Sequence, residues 1–93
     1  MIRTFADKDT REFFETGESK KFPPDILNRA LRKLEYVDNA VMLKDLRLPP
    51  GNRLHALDGN RSGQYSISIN DQWRVCFQFT NEGAFNVEIC DYH

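Results

Sequence analysis

The sequence predicts an α+β fold in which two N-terminal helices pack on one face of a twisted antiparallel β-sheet. Apolar residues recur every three or four positions in the first half of the chain, as they do in amphipathic helices. In the second half they alternate with polar residues, as in strands that bury one face. Turn signals separate the alternating segments, which is typical of a meander of antiparallel strands.

Length and composition bound the classes of protein to consider. The 93 residues are predicted to form a single domain, because a chain of this length has material for one core. Thirteen basic residues face fourteen acidic ones, and the net charge of −1 gives little drive for non-specific binding to nucleic acid. No apolar run approaches the ~20 residues that span a bilayer, and no signal peptide is apparent. We therefore expect a cytoplasmic protein without membrane contact.

The two cysteines, Cys76 and Cys90, fall on predicted strands and lack the spacing of a metal site. We expect reduced thiols in the sheet, and neither a metal nor another cofactor. The sequence also lacks a phosphate-binding P-loop, a dinucleotide-binding fingerprint and a nucleophile elbow.

The first half of the chain supplies the helices. Residues 2–5 alternate apolar and polar, which predicts a short strand that pairs back into the sheet. Asp7 is the expected N-cap of a short helix that ends at Gly17. A second helix begins at the prolines of residues 23–24, since proline is tolerated in a first turn. Its apolar stripe is Ile26, Leu27, Ala30, Leu31, Leu34 and Val37, and the charged residues off that stripe are Arg29, Arg32, Lys33 and Glu35.

The second half supplies the strands. Residues 54–57 are a candidate short strand, and residues 59–63 form a loop. Alternation predicts a half-buried strand with Tyr65, Ile67 and Ile69 on its core side. The core sides of the last two strands are predicted to be Trp73, Val75, Phe77 and Phe79, followed by Phe85, Val87 and Ile89.

The sheet face that the helices leave open is the expected functional face. Arg74 has the parity to lie there, and a guanidinium matches two phosphate oxygens. His55 is expected to point away from the flanking leucines, and imidazole exchanges protons near neutral pH. Together these groups fit metal-independent RNA cleavage, in which the ribose 2′-OH attacks the adjacent phosphate. The competing interpretations are a surface ion pair between Arg74 and Glu88 and a structural role for His55.

Charge is distributed unevenly along the chain. Basic residues outnumber acidic ones in residues 44–74, whereas the acids concentrate in the first half. This asymmetry favours phosphate contacts by the C-terminal half.

Tyr65 and Tyr92 are candidates for stacking on bases, with packing at the edge of the core as the alternative. The other candidate RNA-binding residues are Lys44, Arg47, Arg53 and Arg61.

Five segments resemble the HigB-type toxins of the RelE superfamily: MIRTF at 1–5, NRLHAL at 52–57, GNRSGQYSI at 59–67, NDQWRVCF at 70–77 and DYH at 91–93. The resemblance covers essentially the whole chain. It implies a RelE-like fold and a toxin of a type II toxin–antitoxin pair that cleaves mRNA in the ribosomal A site. It also implies that the partner is a HigA-type antitoxin with a helix-turn-helix, and that operator DNA is bound only through the toxin–antitoxin complex.

The resemblance also assigns roles by position. Arg74 matches the sheet arginine and is expected to stabilise the phosphate. His93 is the first choice for proton transfer, with His55 as the other proton-handling group or a substrate positioner. Tyr92 is expected to stack on or orient a base, and Asp91 to orient His93 or to take part directly.

Asp58 departs from the family pattern. Some relatives have a lysine here that helps to hold the phosphate, and an aspartate does not serve that role. Asp58 keeps open the alternative of a weakened toxin that mainly binds its antitoxin. A second alternative is a ParE-like toxin of the same fold that inhibits DNA gyrase by protein binding. The terminal Asp91, Tyr92 and His93, together with His55, favour the nuclease.

Overall fold

The computed structural model describes residues 1–91, so the predictions for Tyr92 and His93 lie outside the described residues. The regular elements are α1 (Lys8–Thr16), α2 (Leu27–Asn39), β1 (His55–Ala56), β2 (Tyr65–Ser68), β3 (Trp73–Thr80) and β4 (Gly83–Asp91). The strands follow the order β1-β2-β3-β4, and each pairs antiparallel with its neighbour. Both helices share one apolar core with the sheet, which confirms the predicted α+β fold.

The predicted caps define the ends of α1. The Asp7 carboxylate accepts a hydrogen bond from the backbone N–H of Thr10 at 2.7 Å. Gly17 ends the helix in the left-handed conformation, with φ 78°, which glycine adopts without a side-chain clash. Between these caps, the fully buried Phe13 and the partly buried Phe14 pack α1 against the core.

The apolar stripe of α2 faces the core as predicted. A 3₁₀ turn, Pro24–Ile26, leads into the helix, and Ala30, Leu34 and Val37 are fully buried. Lys33 is the exception, because it was predicted to lie off the stripe and is only 8% exposed. Its ammonium group donates a hydrogen bond to Asn52 at 2.6 Å, and this partner makes the burial possible.

The N-terminal segment lies along the outer edge of β4. It forms two isolated parallel bridges, Ile2 with Ala84 and Phe5 with Val87, rather than a continuous strand. The backbone N–H of Arg3 donates to the Ala84 carbonyl at 2.7 Å. The segment thus covers a sheet edge that would otherwise present unpaired backbone groups.

A bulge in β4 changes the predicted core face of that strand. The pairing of β3 with β4 shifts between Cys76 and Gln78, and Asn86 has a positive φ of 53°. The extra residue places Ala84 in the core and leaves Phe85 only partly buried. The prediction that Phe85 shares the core side with Val87 is therefore wrong, because a bulge inverts the alternation.

Within residues 1–91, neither helix combines the length and the apolar character that crossing a bilayer requires.

Candidate active site

The sheet face opposite the helices carries a row of side chains from all four strands. Directly opposed residues in paired strands point to the same face. By this register the row, called here the His55 row, is His55, Ser66, Cys76 and Glu88. A second row beside it contains Ser68, Arg74 and Cys90.

Arg74 reaches from the second row across Ser66 to His55. Its Nη1 donates a hydrogen bond to the Ser66 hydroxyl at 2.8 Å and lies 3.4 Å from His55 Nδ1. Because Ser66 is fully buried, its hydroxyl holds the guanidinium from a fixed position. The structure therefore brings the predicted guanidinium and one predicted imidazole together on one face.

His55 has two contacts that exclude each other. Its Nδ1 lies 3.3 Å from the carbonyl oxygen of Arg53, in addition to its contact with Arg74. Nδ1 accepts a hydrogen bond from Arg74 only when it carries a lone pair, and donates to Arg53 only when it carries a proton. The tautomer of His55 is thus linked to the position of the Arg74 guanidinium.

Glu88, at the other end of the His55 row, binds Arg61. Nη1 of Arg61 donates to the Glu88 carboxylate at 2.6 Å and to the Gln64 side-chain oxygen at 3.1 Å. The hydrogen bond to Glu88 raises the pKa of Arg61. The competing interpretation expected this carboxylate to pair with Arg74, whereas the structure shows it bound to the loop before β2.

A pocket of about 160 Å³ lies beside His55. It is lined by residues 55–58 and by Arg61. Asp58 is exposed and lines the same pocket as His55. The residue that departs from the family pattern therefore places a carboxylate, rather than an ammonium group, beside the candidate site.

The two thiols lie on the same face. Cys76 is fully buried, and Cys90 is half-buried. The Cys90 thiol hydrogen-bonds the Cys76 sulfur, which lowers the pKa of Cys76 and raises the pKa of Cys90. A reactive cysteine combines a low pKa with access to solvent, and here these two properties belong to different residues. Residues 1–91 hold no group of three or more His, Cys, Asp or Glu side chains suited to a metal ion.

The structure does not bring every predicted residue to this face. The ring of Tyr65 lies 6.4 Å from that of Phe77, on the core side of the sheet, so Tyr65 is directed away from Arg74. Lys44 and Arg47 are exposed on a separate 3₁₀ segment, Leu43–Arg47.

Two further candidates lie at the rim. The side chain of Arg53 is exposed, and its Nη1 is 4.0 Å from the Asp71 carboxylate in the turn between β2 and β3. Asp91 accepts a hydrogen bond from the side-chain amide of Gln72 at 3.2 Å.

Sequence reasoning missed Ser66 as the anchor of Arg74. The signal was present, because Ser66 alternates with the apolar residues of its strand and so had to face the same side as Arg74.

This is a small α+β protein whose helices cover one face of an antiparallel sheet and whose other face carries an arginine and a histidine. That architecture is the one of the RelE-like toxins. A model of the HigB-like toxin family, described as the RelE-like toxin of type II toxin–antitoxin system HigB, matches residues 3–93. The chain therefore belongs to this family. As a type II toxin it has an antitoxin as its partner.

Two relatives agree with this assignment. The chain is 41% identical to toxin HigB-1 of Vibrio cholerae over 87 residues, which are 92% of each protein. It is 33% identical to endoribonuclease HigB of Proteus vulgaris over the full length of both.

Two solved structures share the fold at low identity. One is the YoeB–YefM complex of Staphylococcus aureus, with a TM-score of 0.61, 15% identity, and coverage of 100% of this chain and 98% of that one. The other is YafQ of E. coli, with a TM-score of 0.58, 12% identity, and coverage of 98% and 93%.

Proposed function

We propose that this toxin is an endoribonuclease that cleaves mRNA in the ribosomal A site and thereby stops translation. The observation that carries the proposal is the 3.4 Å approach of Arg74 to His55 on the sheet face opposite the helices. The name of the Proteus vulgaris relative, an endoribonuclease, supports it.

Arg74 binds the scissile phosphate. The ribose 2′-OH attacks the adjacent phosphorus in line, the bond to the 5′-oxygen breaks, and a 2′,3′-cyclic phosphate remains. Charge accumulates on the phosphate oxygens during this step, and a cation already held in position stabilises it. The buried hydroxyl of Ser66 supplies that preorganisation, because it fixes Nη1 of the guanidinium at 2.8 Å.

Two histidines transfer the protons. Arg74 keeps its hydrogen bond to Ser66, and Nδ1 of His55 donates its proton to the Arg53 carbonyl, 3.3 Å away. The lone pair then resides on Nε2, so His55 accepts the proton of the 2′-OH. His93 donates a proton to the departing 5′-oxygen, and Asp91 orients it.

The remaining candidates bind or frame the RNA. Arg53, Lys44 and Arg47 are exposed and contact phosphates, and Tyr92 stacks on a base. Arg61 is held by Glu88, so it shapes the pocket beside His55.

The proposed partners follow from the same assignment. The antitoxin is of the HigA type and carries a helix-turn-helix, so operator DNA is bound through the antitoxin in the complex. The ribosome presents the mRNA, which places the toxin in the cytoplasm. The proposed chemistry is metal-independent, because protein side chains supply both proton-transfer groups and the phosphate-binding cation.

An mRNA cleavage assay tests this function. Purified toxin is incubated with the same mRNA free in solution and on programmed ribosomes, and the 3′ ends of the products are analysed. We expect cuts only with ribosomes, and cyclic phosphate ends. Intact mRNA in both arms, together with inhibition of DNA supercoiling by gyrase, would establish the ParE-like alternative instead. Intact mRNA and active gyrase, in a protein that still binds its antitoxin, would establish a weakened toxin.

A further inference from the structure

We propose that Lys33 and Asn52, which are both buried, are positioning residues for His55. They determine whether Nδ1 of His55 forms a hydrogen bond with the carbonyl oxygen of Arg53. The inference rests on the proposed ribonuclease function, because it assigns a proton-transfer role to His55. Both buried residues act through the backbone of Arg53.

The Lys33–Asn52 pair joins three parts of the chain. Lys33 Nζ donates to Asn52 Oδ1 at 2.6 Å. Asn52 Nδ2 donates in turn to the carbonyl oxygens of Leu46 at 3.1 Å and Leu48 at 3.2 Å. Asn52 is fully buried. Its side-chain amide therefore links helix α2 and residues 46–48 to the backbone that leads into Arg53.

The pair carries an energetic cost. Burial lowers the pKa of Lys33, and repulsion by Arg29 and Arg32 lowers it further. The Tyr36 ring, 5.4 Å from Nζ, compensates in part through a cation–π contact. An apolar side chain at this position would avoid the desolvation of an ammonium group, which indicates that Lys33 does more than fill space.

The Lys33–Asn52 pair stabilises an unusual backbone conformation at the next residue, Arg53. Arg53 is in the left-handed conformation, with φ 48° and ψ 50°. This conformation costs a non-glycine residue about 1–2 kcal/mol, so the surrounding contacts must impose it. The backbone N–H groups of Asn52 and Arg53 donate to the Pro49 and Pro50 carbonyls at 2.9 and 3.2 Å. The Asn52 side chain ties this turn to the carbonyls of Leu46 and Leu48, which precede it.

The carbonyl oxygen of Arg53 is therefore held 3.3 Å from Nδ1 of His55. It is the acceptor that favours a proton on Nδ1 and a lone pair on Nε2. Without the Lys33–Asn52 pair, Arg53 relaxes towards the ordinary backbone regions and this carbonyl turns away. His55 then keeps its contact with Arg74, which requires the opposite tautomer.

A double-mutant cycle separates positioning from general stability. We expect Asn52→Ala to lower kcat on ribosome-bound mRNA about ten- to a hundredfold with KM nearly unchanged, because the base is misplaced while RNA contacts persist. In a His55→Ala background the same change should have no further effect. Asn28→Ala, at an exposed position near the start of α2, is the matched control. An equal loss of kcat with and without His55 would overturn the proposal.

A spectroscopic measurement tests the pair without any cleavage. Two-bond ¹H–¹⁵N spectra show which ring nitrogen carries the proton, and the chain has only two histidines to assign. We expect the population of the Nδ1–H form of His55 to fall in Asn52→Ala and in Lys33→Met. Lys33→Met provides the test if Asn52→Ala does not fold. Unchanged tautomer populations in a folded variant would overturn the inference. If the wild type cleaves no mRNA but the tautomer shifts, the proposed function fails while the positioning contact stands.

Discussion

The guanidinium of Arg61 donates a hydrogen bond of 2.6 Å to the Glu88 carboxylate, across 27 positions of sequence. Glu88 lies directly opposite Cys76, at the far end of the row that begins with His55. The ion pair thus ties the loop before β2 to the last strand and closes one end of the candidate active site.

Removing the charge of Glu88 is expected to loosen this loop. We predict that Glu88→Gln lowers the free energy of unfolding by ~1 kcal/mol, because the hydrogen bond that Arg61 donates to this half-buried side chain loses its charged acceptor. Urea denaturation measures the effect, with Glu82→Gln at an exposed turn as the control. In a double-mutant cycle with Arg61→Gln, a coupling energy near zero would show that the pair does not stabilise the fold.

The burial of Lys33 predicts a pH dependence of stability. Its pKa is lowered on folding, mainly by burial, so the unfolded chain binds more protons at any pH between the folded value and about 10.4. Stability therefore rises with pH through this window and levels off above it. Lys33→Met lacks this titrating group. We therefore expect the free energy of unfolding of wild type to rise relative to that of Lys33→Met as pH increases through the same window.

Urea denaturation of both proteins at several pH values checks this, and exposed Lys20→Met controls for surface charge. A Lys33→Met difference that stays constant across the window would contradict the prediction.

The N-terminal segment approaches β4 so closely that we predict a requirement for glycine at position 83. Gly83 has φ 129°, and a Cβ there would overlap the Met1 carbonyl oxygen. We predict that Gly83→Ala costs about 2–4 kcal/mol, because both the backbone conformation and the bridge of residues 1–5 are strained. Gly51→Ala is the matched control, since a Cβ at Gly51 meets nothing within 4 Å. Equal thermal stability of the two variants would refute this requirement.

The parts of the fold predicted from sequence are those set by local signals. Asp7 and Gly17 define α1 because capping depends on neighbouring residues, and the stripe of α2 follows from helical periodicity. The parity of Arg74 followed in the same way from strand alternation.

The parts that sequence reasoning missed depend on contacts between distant segments. Asn86 tolerates the positive φ of the bulge that turns Phe85 out of the core, but one asparagine in a strand does not locate a bulge. Lys33 is buried because Asn52, 19 residues away, provides a partner. The fully buried Cys76 shows likewise that part of the open face is covered, which alternation alone does not reveal.

Substitution of Arg74 tests the proposed phosphate contact most directly. Primer extension on ribosome-bound mRNA compares wild type with Arg74→Ala and with Arg11→Ala, an exposed arginine on α1. We predict that Arg74→Ala reduces the cleavage rate about 10²–10³-fold without loss of thermal stability, because the preorganised cation is removed. Arg11→Ala should cut like the wild type. Undiminished cleavage by a folded Arg74→Ala protein would contradict the proposed mechanism.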